Sequence, residues 1–194
     1  MNTTARSSQK EASRERILDA ASRAVRRVGF HGVGVADVMR EAGLTHGGFY
    51  AHFDSRDALL SAAVARAGSD VASILEENMN RLTRAGLSPF RALVESYLYE
   101  SEIGNREKGC PVAALCSEIP GQAPDVVDAS QQLVRNLHRL VHKILPADRS
   151  AGAAWAVTSQ LVGAVQLARA LGDNPDGRAV LAAAKHDLLD RYDG

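Results

Sequence analysis

Residues 33–60 read VGVADVMREAGLTHGGFYAHFDSRDALL, and this stretch decides the fold. Val35, Val38 and Met39 recur at helical spacing across a short segment, Ala36 to Ala42, which Gly43 stops. Leu44 and Thr45 make a turn, and Thr45 can cap a second short helix running to about His52. A short amphipathic helix, a glycine-containing turn and a second short helix form a helix-turn-helix. The second helix carries Gly47 and Gly48, each of which lowers helix propensity by roughly 1 kcal/mol. Packing alone would not select them. Glycine lets the backbone approach another large surface, such as duplex DNA, and Thr45, His46, Tyr50 and His52 can hydrogen-bond phosphates and base edges. Phe49 and Phe53, four apart, face inward and hold the segment in place.

Upstream, Ile17, Ala20, Ala21, Ala24 and Val28 recur every three or four residues between arginines, which predicts a helix from Ala12 to the stop at Gly29. Residues 1–11 are polar and read as a disordered arm. Downstream, Asp54 and Ser55 cap a long helix that begins near Arg56 and extends toward Asn80. All six prolines fall after residue 88 and punctuate further helices, over Phe90–Ser101, Val112–Ile119, Asp125–Leu145, Asp148–Leu171 and Arg178–Tyr192. No stretch alternates as a strand would. The reading is all-α, about nine helices, divided into the arm (1–11), a three-helix helix-turn-helix domain (12–55) and a larger helical domain (56–194).

Composition agrees. Apolar residues make up 45% of the 194 and aromatics only 5%, a core of Ala, Leu and Val that favours helix over sheet. Lys+Arg and Asp+Glu number 23 each, which excludes a polybasic or acidic-tail protein. The charge is nevertheless partitioned: residues 1–53 hold eight Lys/Arg and five Asp/Glu, and the remainder is net acidic. The polar start has no apolar signal core, and the uncharged run Ser150–Ala168 holds too many Ser, Thr, Gln, Ala and Gly residues for a membrane span, so no membrane role is expected and the cytoplasm is the expected compartment.

The segment resembles the DNA-binding domain of the TetR family of bacterial transcriptional regulators. The resemblance rests on Gly47-Gly48-Phe49-Tyr50-Ala51-His52-Phe53-Asp54-Ser55-Arg56, and upstream on Gly29-Phe30, Asp37-Val38 and Ala42-Gly43-Leu44-Thr45. It covers about residues 12–60. It implies a DNA-contacting set of Val33, Gly34, Thr45, His46, Gly47, Tyr50 and His52, with Arg56 on a phosphate at the start of the long helix. Val33-Gly34 stands where the family usually has Thr-Ser or Thr-Thr, His46 where Lys is common and Ala36 where Arg is common, so this surface should be less cationic than usual.

For the larger domain the resemblance implies effector binding and dimerisation, hence a repressor released from a pseudo-palindromic operator by a small molecule. The implied effector residues are Leu75, Met79, Phe90, Val94, Tyr97, Leu98, Leu137 and His138; for each one alone, ordinary core is the plainer reading. The last two helices are the implied homodimer interface, through Trp155, Val162, Val165, Leu181 and Leu188. An alternative is a thiol sensor: Cys110 precedes Pro111 at a helix start near Arg106 and Lys108, which would depress its pKa, with Cys116 six residues on. Two small buried hydrophobes is the plainer reading of the pair. His138 and His142 lie four apart, but with the cysteines they match no common zinc spacing, and neither a metal nor a cofactor is expected. No hydrolase, phosphate-loop or metalloprotease motif is present; a small Cys/His enzyme is the remote alternative.

Overall fold

The structure, a computed structural model, describes residues 3–146 and 149–193. Helix α1 (Thr3–Gly32) opens the chain. It includes residues 3–11, so the arm expected to be disordered is helical from Thr3 on; Met1 and Asn2 lie outside the described residues. Gly29 interrupts α1 with φ 72° and ψ 177°, the left-handed conformation expected of its role as a stop, and one further turn follows. Next come α2 (Val35–Glu41) and a 3₁₀ segment (His46–Ala51). The third helix of the motif is therefore 3₁₀ rather than α, in keeping with its length and its paired glycines.

Helix α3 (Arg56–Arg84) is capped by Ser55, whose Oγ accepts from the Ala58 N–H. It contains a stretch long and apolar enough to cross a bilayer by length and composition, but it is the spine of the fold, packed by α1, by α4 (Pro89–Tyr97) and by α6 (Pro124–Ile144). Between α4 and α6 lie a 3₁₀ turn (Glu100–Glu102), the short α5 (Pro111–Leu115) and a second 3₁₀ turn (Ile119–Gly121). Helices α7 (Ala151–Leu171) and α8 (Pro175–Tyr192) pair with each other and complete the chain. The expected start of α7, Asp148, lies outside the described residues; Ser150 Oγ caps the helix from the Ala153 N–H. No strand occurs among the described residues.

Two apolar clusters meet along α3. The first joins Ile17, Phe30, Met39, Phe49 and Phe53 to Leu59, Leu60, Ala63 and Val64 of α3, and extends to Leu115, Ile119 and Val126. The second holds Leu75 of α3 with residues of α4 to α8. The chain division at Ser55/Arg56 is thus not a packing boundary, because the first turns of α3 belong to the helix-turn-helix core. Arg66 locks that junction, binding Glu15 at 2.5 Å, Asp19 at 2.6 Å and Asp70 at 2.9 Å. Each pair is partly solvated and of modest worth alone, but the three converge on one guanidinium and fix the angle between α1 and α3.

Candidate nucleic-acid interface and effector cavity

The helix-turn-helix presents one exposed edge. Thr45, His46, Gly47 and Tyr50 are all solvent-exposed, and Tyr50 keeps 71% of its surface in water. Behind them Phe49 is buried, Tyr50 meets it edge-on at 5.2 Å, and Phe53 stacks on it at 6.0 Å. Arg14 lies over the Phe53 ring at 5.1 Å. The exposed edge is therefore carried on a rigid aromatic base. Nothing lies within 4 Å of where a Gly47 Cβ would be, so its backbone is free to approach a partner closely. Thr45 takes the cap position of the 3₁₀ segment with no side-chain cap bond, which leaves its hydroxyl for an external acceptor.

Two expected contacts, Val33 and Arg56, need revision. Val33 is buried, so its side chain belongs to the core. Gly34 caps α2 without a side chain to do so, and it is half-buried. Arg56 is bound inward: its Nε donates to the Val33 carbonyl at 3.1 Å and its Nη2 to the Phe30 carbonyl. It closes the end of α1, with 38% of its side chain still exposed. His52 is half-buried, with Nδ1 enclosed and no hydrogen bond among the described residues.

A cavity of about 470 Å³ lies between α3, α4 and α6, closed by the start of α5. Leu75, Met79, Tyr97 and Leu137 line it, with Cys110, Pro111 and Val112. Phe90, Val94 and Leu98 do not; they are buried in the core, and Phe90 packs on Tyr192 at 5.6 Å. α4 offers the cavity only the edge that carries Tyr97, because its opposite side is covered by α8. His138 also points elsewhere, stacked on Trp155 at 3.9 Å. A second cavity of about 420 Å³ shares Val71, Leu75, Tyr97 and Cys110 with the first.

Tyr97 donates its O–H to Cys110 Sγ at 3.0 Å, and both residues are buried. Burial is the largest influence on the Cys110 thiol and pushes its pKa up; the Tyr97 hydroxyl and nearby N–H groups oppose this, and Glu102 adds to it. The expectation of a depressed pKa therefore fails, because α5 is a single turn and desolvation outweighs it. Cys116 is half-buried and accepts from Gln166 Nε2 at 3.1 Å. Beside Cys110, Arg169 binds Glu102 at 3.0 Å, and Glu102 Oε2 accepts from the Cys110 N–H at 3.4 Å. Burial raises the Glu102 pKa, with Arg169 opposing. Sequence reading misses this pair, since its members stand 67 residues apart.

Of the expected dimer residues, Val162, Val165, Leu181 and Leu188 are buried within the protomer, where α7 packs on α5, α6 and α8. Trp155, expected at the interface, is 46% exposed, and Leu167 (60%) and Leu171 (48%) add exposed apolar surface further along α7. A shallow groove beside it is floored by Gly163, Ala164 and Ala184.

An exposed, aromatic-backed turn-and-helix unit on an all-helical body defines a helix-turn-helix DNA-binding transcriptional regulator. Residues 17–63 match the model of the bacterial regulatory proteins of the tetR family. The chain is 30% identical over 174 residues to an uncharacterized HTH-type transcriptional regulator of Mycobacterium tuberculosis, Rv0196, covering 84% of this chain and 87% of the relative. It therefore belongs to the TetR family. It is also 31% identical to the HTH-type regulator YxaF of Bacillus subtilis over 111 residues, 55% of this chain and 56% of that one. In fold it is similar to a TetR-family regulator of Agrobacterium tumefaciens, with TM-score 0.76, 21% identity and coverage of 94% and 98%. Reduced NemR of E. coli superposes with TM-score 0.74 at 18% identity, covering 93% of this chain and 96% of that one.

Proposed function

We propose that this regulator is a cytoplasmic homodimeric repressor, released from a pseudo-palindromic operator by a small molecule bound in the cavity between α3, α4 and α6. The observation that carries the reading is that one spine helix, α3, packs at its start under the exposed Thr45–Tyr50 edge and further along forms one wall of a half-open, mainly apolar cavity. Helix α3 packs against both, so a ligand that favours one arrangement of α4 to α6 biases the placement of the recognition segment. The exposed apolar surface of Trp155, Leu167 and Leu171 supports two-fold pairing of copies, which would set two recognition segments on two half-sites. Thr45, His46, Gly47 and Tyr50 make the base and phosphate contacts in this reading, and Arg56 positions them from behind.

The test is selection from a pool of random-sequence duplexes at two salt concentrations, with sequencing of the retained fraction. Enrichment of one pseudo-palindrome supports the reading. Retention that is unselective and collapses with salt shows an electrostatic contact only and overturns it. Sedimentation of the free protein across the micromolar range decides the dimer.

A further inference from the structure

We infer that the cavity takes an uncharged, mainly apolar small molecule carrying one carbonyl oxygen, which captures the Tyr97 hydroxyl from Cys110; this rests on the effector reading above. The cavity walls are made by Leu75, Met79, Leu133 and Leu137, and its volume of about 470 Å³ lies within the range that encloses small ligands. Its charged lining residues, Glu76 and Lys143, are both solvent-exposed, so they stand at the mouth. No ionic group is offered at depth in this cavity. Of the charges beyond the Tyr97–Cys110 wall, Glu102 and Arg169 neutralise each other. An ionised ligand would leave water for a wall with nothing to pair it.

The polar lining residues Asn80 and Asn136 are exposed like the charges, and the one buried polar feature is poorly matched. The Tyr97 O–H is spent on a thiol sulfur, a weak acceptor, at 3.0 Å. Both groups are held neutral by burial, so the hydroxyl keeps its proton to donate. A carbonyl oxygen reaching that point is a stronger acceptor than sulfur. The exchange strands no strong hydrogen-bonding group, since a thiol tolerates apolar surroundings. Ligand recognition and disengagement of Tyr97 from the start of α5 are then one event.

The experiment uses the full chain without DNA and follows displacement of the neutral fluorophore N-phenyl-1-naphthylamine. Competitors are benzophenone, 2-decanone, diphenylmethane (the methylene counterpart of benzophenone) and 4-benzoylbenzoate. The ketones should displace the fluorophore. Diphenylmethane should be weaker than benzophenone by roughly two- to ten-fold, the worth of one net hydrogen bond, and the carboxylate weaker than either. Tyr97→Phe should erase the benzophenone preference while leaving diphenylmethane bound. Cys110→Ala, which removes the competing acceptor, should strengthen ketone binding, and Cys110→Ser, a better acceptor, should weaken it. The pair of cysteine variants keeps the inference falsifiable if Tyr97→Phe fails to fold. Equal binding of the carboxylate, a ketone preference that survives Tyr97→Phe, ketone binding that weakens with Cys110→Ala or strengthens with Cys110→Ser, or failure of both ketones to compete at saturation overturns the inference. Release of operator DNA is measured separately: ketones that bind without releasing DNA sink the effector reading and leave the ligand class standing.

Discussion

The Glu118 carboxylate accepts a hydrogen bond from the Phe30 N–H at 2.9 Å, across 88 residues. The same peptide segment is gripped from the other side, where Arg56 donates to the Phe30 carbonyl. Both backbone groups of Phe30 are thus satisfied by side chains from elsewhere, which is needed because the kink at Gly29 takes them out of the helical ladder. Gly29 is required twice over: its φ is 72°, and an added Cβ would overlap the Glu118 carboxylate. Gly29→Ala should cost about 1–3 kcal/mol of unfolding free energy. Glu118→Ala should cost about 1.5–3 kcal/mol, as expected for a bond to a charged acceptor. The double variant should lose less than the sum, because removing the carboxylate also removes the clash. Urea unfolding of the four proteins measures all three quantities.

The recognition edge predicts a separation between stability and DNA binding. Thr45 and Tyr50 are exposed, and neither side chain makes a hydrogen bond among the described residues that an apolar replacement would lose. Thr45→Val and Tyr50→Phe should therefore leave the unfolding midpoint within about 0.5 kcal/mol of the parent, while weakening operator binding by roughly five-fold or more if each hydroxyl touches a base or phosphate. Fluorescence anisotropy with the selected operator reads the second effect, and denaturation reads the first.

At Gly34 the expected direction is a gain. It is the cap residue of α2 and supplies no side chain. A Cβ there would meet only Asp37, at 3.0 Å from Oδ2, and that side chain is exposed and can shift. Gly34→Ser should raise stability by a few tenths of a kcal/mol. If Gly34 faces a phosphate and not a base, the substitution should also strengthen binding to operator and to unrelated duplex by the same factor. A change in the ratio of the two affinities would contradict the assignment.

How much of this was legible in the sequence follows from the range of the interactions. Helix existence, the Gly29 stop and the Thr45 turn are local matters of periodicity and capping, and they stand in the structure as read. The segment His46–Ala51 lies where a helix was expected but is 3₁₀, in keeping with its length and with Gly47 and Gly48. Burial around a whole helix was not legible. α7 is apolar on all sides, so nothing local distinguishes Val162 and Val165, which pack inward, from Leu167, which faces water. The inward turn of Arg56, the Glu118 cap and the Glu102–Arg169 pair depend on residues 23 to 88 positions apart, beyond any local pattern.

The Glu102–Arg169 pair should be strongly asymmetric to mutation. The Arg169 side chain is 7% exposed and that of Glu102 22%, so removing the arginine leaves a largely buried carboxylate unpaired. Arg169→Met should cost about 3–5 kcal/mol, and adding Glu102→Gln should restore most of it. The pH dependence has a definite sign. Burial already holds the Glu102 pKa above its ordinary value, and losing Arg169 raises it further. A carboxyl whose folded pKa is raised is stabilising relative to its charged form below the unfolded pKa, and that advantage is lost as pH rises through the folded value. Arg169→Met should therefore become more stable as pH falls from 7 toward 4.5, and the variant that also carries Glu102→Gln should lack this gain. Thermal melts of the two variants across that range check it.

Cys110 should behave as a buried, unreactive thiol. Desolvation pushes its pKa up, so the thiolate fraction at neutral pH is lower than for an ordinary cysteine, and the thiolate is the reactive form. Alkylation by iodoacetamide at pH 7.5, followed by peptide mass spectrometry, should label Cys116 before Cys110, since Cys116 alone is partly exposed. Unfolding in urea should bring the two to similar rates. The thermodynamic counterpart has the same origin. Because the folded pKa is raised, the thiol leaves stability unchanged below the unfolded value, and stability falls as pH climbs from there toward the folded one. Cys110→Ala should flatten that alkaline decline, with Tyr97, also raised by burial, accounting for the remainder at higher pH. Faster labelling of Cys110 than of Cys116 in the folded protein would revive the thiol-sensing alternative and remove the basis for treating Cys110 as a passive acceptor of the Tyr97 hydroxyl.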